Sequence, residues 1–215
     1  MNSRARPLDP LVLAFALTAM LGACSVAPVR PVTEQQVQAK RVYREAIDIG
    51  GRLSVRYQQQ GEQLLNGSFV WAQRPDNTQV SLLSPFGQQV ARIGITPAQA
   101  IFQRAGQAPQ TAIDVDALAA RALGWPLPVS GLRSWLQGYV STADGKPIAA
   151  NPAAESALTS IDGWRVIYSS WAEDDSSAGL RPRRIDLSRR TAEAGDVEIR
   201  IVIDAWQPMD RDAPQ

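Results

Sequence analysis

Beyond Arg41 the apolar positions of the chain recur at every second residue. Ile47, Ile49, Leu53, Val55 and Tyr57 share one parity, while Asp48, Arg52, Ser54, Arg56 and Gln58 share the other. That alternation belongs to an antiparallel strand with one face buried and one in water. Gln60 to Asn66 reads as a turn, Gly67 to Gln73 as a second strand, and Pro75-Asp76-Asn77 as another turn. Gln79 to Leu83 and Gln88 to Ile95 predict two more strands around Ser84-Pro85-Phe86-Gly87, and Ile101-Phe102 a short one after them. The period then lengthens: Val115, Leu118, Ala119, Ala122 and Leu123 fall on one helical face, with Asp114 placed to cap it and Gly124 to stop it. Pro126 and Pro128 separate this helix from Ser130 to Gly138, where Leu132, Trp135 and Leu136 share a face. Alternation returns at Trp164, Val166 and Tyr168, at Ile185 and Leu187, and most regularly from Val197 to Ala205. Strands, two helices, then strands again describe an α+β protein whose curved antiparallel sheet is covered on one side by helices.

The first 40 residues follow different rules. Arg4 and Arg6 precede Leu11 to Leu21, a run whose one polar member is Thr18. Spanning a bilayer takes about 20 apolar residues, so this run fits the core of an export signal covering residues 1 to 23. Leu21-Gly22-Ala23-Cys24 resembles the lipobox of bacterial lipoproteins, in which the thiol, here that of Cys24, receives diacylglycerol before cleavage in front of it. Cys24 is the one cysteine of the chain; an accidental cysteine behind an ordinary signal is the alternative. Residues 24 to 40 then form a lipidated, Pro-containing tether that leads into a short helix, and residues 41 to 210 the folded domain. Ser25 resembles an outer-membrane address, since an Asp at that place tends to retain such proteins in the inner membrane.

Composition removes several function classes. The chain holds 22 Lys and Arg against 21 Asp and Glu; the leader takes away Arg4, Arg6 and Asp9, leaving twenty of each and no net charge to attract nucleic acid. With no histidine and a single cysteine, His-based triads, thiolate zinc sites and internal disulfides are excluded. No cofactor is expected, and a G-x-x-x-x-G-K-[ST] phosphate loop is absent. Glu173-Asp174-Asp175 lacks the ligand alternation of calcium loops. No carboxylate pair stands out by spacing, which ranks an anchored hydrolase last. Arg181, Arg183, Arg184, Arg189 and Arg190 fit either a solvated hairpin or a dock for an acidic carrier.

An ordered set of short motifs goes further. Gly51-Arg52-Leu53, Gly67-Ser68-Phe69-Val70-Trp71, Leu83-Ser84-Pro85-Phe86-Gly87, Leu123-Gly124-Trp125-Pro126-Leu127-Pro128, Leu132-Arg133-Ser134-Trp135-Leu136-Gln137-Gly138 and Trp164-Arg165-Val166-Ile167-Tyr168 follow one another behind the lipobox. Together they resemble the LolB family of outer-membrane lipoprotein receptors, over Arg41 to Trp206. The resemblance implies an incomplete antiparallel β-barrel with a helical lid and an apolar cavity, as in the periplasmic carrier LolA. It implies a monomeric, non-enzymatic receptor, lipid-anchored to the outer membrane and facing the periplasm. Its partners would be a LolA-like carrier and acylated lipoprotein cargo, which it inserts into the outer membrane.

Within that scheme Tyr57, Phe69, Trp71, Trp164 and Ile201 on strands, with Leu118, Leu132, Trp135 and Leu136 on helices, become acyl-cavity candidates. The same pattern in most proteins is a packed core, and periodicity alone does not choose. A lipid-anchored structural or envelope-assembly factor with a packed core therefore stays open on the residues. Pro85 and Gly87 bracket Phe86 in a tight turn. The family presents an exposed apolar residue there, commonly Leu, to deliver cargo to the membrane; the alternative is a ring folded back onto the domain.

Overall fold

Strand pairing, more than local propensity, decides the architecture. The computed structural model describes residues 41–209 apart from 59, 60, 155 and 178. The export signal, Cys24, Ser25 and the tether assigned from sequence lie outside the described residues. The strands are β1 (Ile47–Gln58), β2 (Glu62–Gln73), β3 (Thr78–Leu83), β4 (Gln89–Ile95), β5 (Ala100–Arg104) and β6 (Gln110–Ala112). Helices α1 (Val115–Leu123) and α2 (Val129–Trp135) follow, then a small hairpin of β7 (Tyr139–Ser141) and β8 (Pro147–Ala149). The chain returns to the main sheet through β9 (Ser156–Thr159), β10 (Arg165–Glu173), β11 (Leu180–Thr191) and β12 (Gly195–Pro208).

The ten strands of the main sheet run in the order β6-β5-β4-β3-β2-β1-β12-β11-β10-β9, each antiparallel to its neighbours. Edge strands β6 and β9 do not pair with each other among the described residues, so the barrel is incomplete. This is the α+β curved-sheet fold expected from the alternation. One expectation needs correction: Glu62 to Asn66 is strand, not turn. Val55 pairs with Leu65, Tyr57 with Gln63 and Gln58 with Glu62, so the partner strand β1 imposes extended backbone on a segment with no alternation of its own.

One face of the sheet is the core. Ile47, Ile49, Val55, Phe69, Trp71, Val80, Ile93, Phe102, Val166, Ile185, Val197 and Ile203 are buried, as their parity required. Leu118 and Ala119 of α1, with Leu132 and Trp135 of α2, pack onto the same cluster. The Asp114 carboxylate caps α1 by accepting from the backbone N–H groups of Asp116 (2.9 Å) and Ala117 (3.0 Å). Gly124 ends the helix at φ +83°, donating its N–H to Ala120 O. Curvature has a local cause at Gly51, where the β1–β12 register shifts. A Cβ there would lie 2.1 Å from Val202 O, so only glycine lets these two backbones approach.

The registers also define two ends of the sheet. One end carries the turns 74–77 and 96–99, the start of α1, and the entry of the chain at residues 41–46, beside the end of β12. The other carries the β3–β4 turn, Ser84 to Gln88, and the β11–β12 turn.

Candidate functional site under the helical lid

Between the inner face of the sheet and the helices lies a small cavity walled wholly by apolar side chains. Leu53, Phe69, Trp71, Val80, Leu82, Ile199 and Ile201 come from β1, β2, β3 and β12; Leu132 and Leu136 come from α2 and the residue after it, and Leu127 from the linker between the helices. Its volume is about 20 Å³, room for roughly one water molecule. Ligand pockets typically offer about 300–1,000 Å³, so the site is shut.

Five of the sequence candidates, Phe69, Trp71, Leu132, Leu136 and Ile201, meet around this space. Tyr57, Leu118, Trp135 and Trp164 are buried in the same core but do not line it. Sequence reasoning missed Leu53, Val80, Leu82, Leu127 and Ile199 as wall residues. Four of these carried the right strand parity, and only the register of β1, β3 and β12 brings them to one spot. Leu127 sits between Pro126 and Pro128, where no period exists to flag it.

The lid is fastened by a few polar contacts. On α2, Arg133 Nη1 donates to Thr78 Oγ1 at 2.7 Å, at the start of β3, and Nη2 to Arg74 O at 3.0 Å, on the β2–β3 turn, with Glu45 Oε2 3.5 Å away. The two helices are tied together by Asp116, which accepts from the Ser130 N–H at 2.9 Å and from its hydroxyl. Burial raises the Asp116 carboxyl above its ordinary range against the opposing pull of the Ser130 hydrogen bonds. At the far end of α1, Arg104 Nη2 donates to Ala122 O at 3.0 Å, a cation at a helix C-terminus. The Tyr168 hydroxyl donates to Trp135 O at 2.9 Å, and burial pushes this phenol well above its usual range.

Arg133→Met keeps the aliphatic stem and deletes the donors. Hydrogen bonds of this kind contribute about 0.5–1.5 kcal/mol each, so amide exchange across α2 is expected to accelerate about tenfold. Unchanged exchange would mean that apolar packing alone holds the lid.

Where the chain enters the domain, Arg41 is pinned. Its guanidinium donates to Leu180 O (3.2 Å), Gly138 O (3.0 Å) and Ala150 O (2.8 Å), and lies 4.4 Å from the Trp171 ring centroid. Burial lowers its pKa, with Tyr139 and Tyr168 opposing.

At the other end of the sheet Phe86 is 91% exposed. Its loop is held by its own hydrogen bonds: Ser84 N–H to Gln88 O (2.8 Å), Gly87 N–H to Ser84 O (2.9 Å), and the N–H groups of Phe86 and Gln88 to Ser84 Oγ (3.3 Å each). Gly87 stands at φ +78°, which closes the turn and leaves the ring in solvent. Leu64 of β2 (59% exposed) and Val90 of β4 (43%) are further exposed apolar groups on strands that flank β3.

The other residues singled out in the sequence lie on β10, β11 and the turn between them. Asp186 accepts from Arg184 (2.9 Å) and Arg200 (2.8 Å); burial works to raise its pKa, but hydrogen bonds from Arg200, Ser169 and Arg184 hold it below the ordinary range. Arg190 faces Asp196 at 3.7 Å, Arg181 lies 5.7 Å from the Trp206 ring, Arg189 lies 6.0 Å from that of Trp164, and Arg183 is exposed. Asp174 is spent on its own turn, accepting from Ser176 N–H (3.0 Å) and Ser177 Oγ (2.9 Å). Among the described residues no group of three or more acidic, His or Cys side chains is arranged to hold a metal ion, and no helix is long and apolar enough to cross a membrane.

Comparison with known proteins adds an independent line. Residues 45–206 match the family model described as outer membrane lipoprotein LolB. The outer-membrane lipoprotein LolB of Cupriavidus pinatubonensis is 37% identical over 209 residues, covering 94% of this chain and 96% of that protein. Its namesake in Cupriavidus taiwanensis is 36% identical, covering 96% and 100%, and that of Pseudomonas putida 27% identical, covering 91% and 95%. Among solved structures, the LolA superfamily protein NE2245 of Nitrosomonas europaea aligns with a TM-score of 0.45 at 11% identity, over 85% of this chain and 93% of that one.

Proposed function

The chain belongs to the LolB family of outer-membrane lipoproteins, and from that premise we propose that it is a lipoprotein receptor. It takes acylated proteins from a LolA-like carrier, shelters their acyl chains beneath the lid, and releases them into the outer membrane. The observation that carries this reading is the wholly apolar cavity between a curved sheet and a lid fastened by few polar contacts.

Free-energy arithmetic favours such a device. Each methylene exposed to water costs about 0.8 kcal/mol, so acyl chains cross an aqueous space only while covered. A chain of that kind does not fit the shut cavity of about 20 Å³. Loading therefore displaces α1 and α2 from the sheet, and the contacts of Arg133, Arg104 and Tyr168 are the ones to break. Cys24 supplies the lipid anchor, which keeps delivery local by raising effective concentration at the membrane. The domain acts as a monomer, and Phe86, framed by Pro85 and Gly87, is its membrane-delivery group.

A transfer assay tests the reading. Carrier loaded with a labelled lipoprotein is mixed with residues 25 to 215 of this chain, and the domain is pulled down. The label is expected to move onto the domain. No movement, with the domain folded and the carrier active, would sink the proposal in favour of a packed structural lipoprotein.

A further inference from the structure

A second apolar recess opens at the end of the sheet opposite Phe86. It measures about 310 Å³ and lies between the turns that carry Pro75 and Pro97, on one side, and Val115 and Val129 at the starts of the two helices, on the other. Trp71 lines this recess and also the shut cavity, so the two spaces share one indole as a common wall. Ile113, immediately before the Asp114 cap of α1, is 92% exposed and puts another apolar group at this end.

We infer that this recess is the entry port through which an acyl chain reaches the cavity, separate from the loop that delivers it. The inference rests on the acyl-binding reading above and adds a route. The recess is already as large as a small ligand pocket, whereas the cavity behind it holds about one water, so a hydrocarbon chain has a partly sheltered, mainly apolar surface to rest on before the lid moves. The latch is placed to control the passage. Arg133 is in the wall of the recess, and its partner Thr78, 2.7 Å away, is in the wall facing it. Releasing Arg133 from both Thr78 and Arg74 parts α2 from the start of β3 and the turn before it, and joins recess to cavity without breaking a strand pair. At the Phe86 end the groove beside Pro85 also touches Leu53 of the cavity wall, but its other walls include Arg52, Ser54, Arg200 and Val202, whose parity is that of the solvent face. Intake and delivery thus occupy opposite ends of the sheet.

The test uses the mature chain with Cys24→Ser, which is free of lipid and of other cysteines. A cysteine is introduced by Pro97→Cys at the rim of the recess or by Val70→Cys, an exposed control on the solvent face, and each is coupled to a bulky maleimide. Uptake of a dipalmitoylated peptide bearing a nitroxide is followed by quenching of tryptophan fluorescence. The label at 97 is expected to slow uptake tenfold or more while the label at 70 leaves it unchanged; Arg133→Met is expected to speed uptake several-fold. Quenching at an unchanged rate with the 97 label, in folded protein, overturns the port and leaves acyl binding standing. Loss of carrier binding with the 97 label, at an unchanged rate for the free peptide, overturns it in favour of a protein dock. No quenching even without a label overturns the acyl reading and the port together.

Discussion

Phe86→Glu is expected to leave the domain folded and able to accept cargo, and to reduce delivery into vesicles about a hundredfold or more. Because the ring is 91% exposed, its loss removes almost no packing, and the loop keeps its backbone bonds to Ser84. Entering a bilayer, the phenyl group gains about 1.5–3 kcal/mol of apolar burial, which the carboxylate forfeits. A charge carried to apolar depth costs a further 2.5–3.5 kcal/mol or so. The two sum to at least about 4 kcal/mol, nearly three factors of ten. Loading and delivery are measured separately, first by pull-down from the carrier and then by flotation of labelled cargo with vesicles. Phe86→Leu retains the burial and is expected to deliver normally. Delivery unchanged in the glutamate variant would remove the loop from the mechanism.

Trp135→Ala is expected to give the largest loss of stability of any lid substitution, about 3–5 kcal/mol, from deleting a buried indole. Trp135 is 2% exposed, and its ring fills the space beside Gly131, where a Cβ would come within 2.3 Å of it. It is also the residue whose carbonyl accepts from Tyr168, so collapse of α2 into the void would disturb that bond. Against a typical total of about 5–15 kcal/mol, the loss brings the domain near its threshold, with a fall in Tm of roughly 10 °C. Urea unfolding of the two proteins measures it. A change below 1 kcal/mol would mean that α2 is only loosely packed on the sheet.

The core was legible in the sequence wherever one chain segment carried its own period. In β12 the alternation from Val197 to Ile203 is interrupted only by Val202, and all four odd-numbered side chains are buried. Glu62 to Asn66 shows the limit, because its extended form is imposed by β1 across the sheet. The short strands β6, β7, β8 and β9 passed unnoticed for a similar reason: three or four residues are too few to display a period. Phe86 was legible because its chemistry is local, a ring between a proline and a glycine. The latch was not. Arg133 and Thr78 are 55 residues apart, and the carbonyls that hold Arg41 are 97 to 139 residues away, separations at which only the folded topology decides who meets whom.

The pinning of Arg41 bears on how the domain reaches its membrane. The chain enters at the sheet end farthest from Phe86, and β1 between those ends is twelve residues, about 40 Å of extended backbone. Sixteen residues separate Cys24 from Arg41, and their fully stretched contour is at most about 60 Å. Were Cys24 to carry the lipid proposed above, that upper bound would exceed the length of β1, enough for Phe86 to meet the bilayer that anchors the chain. Three carbonyls clamp Arg41, so the reach allowed to the domain is counted from that residue.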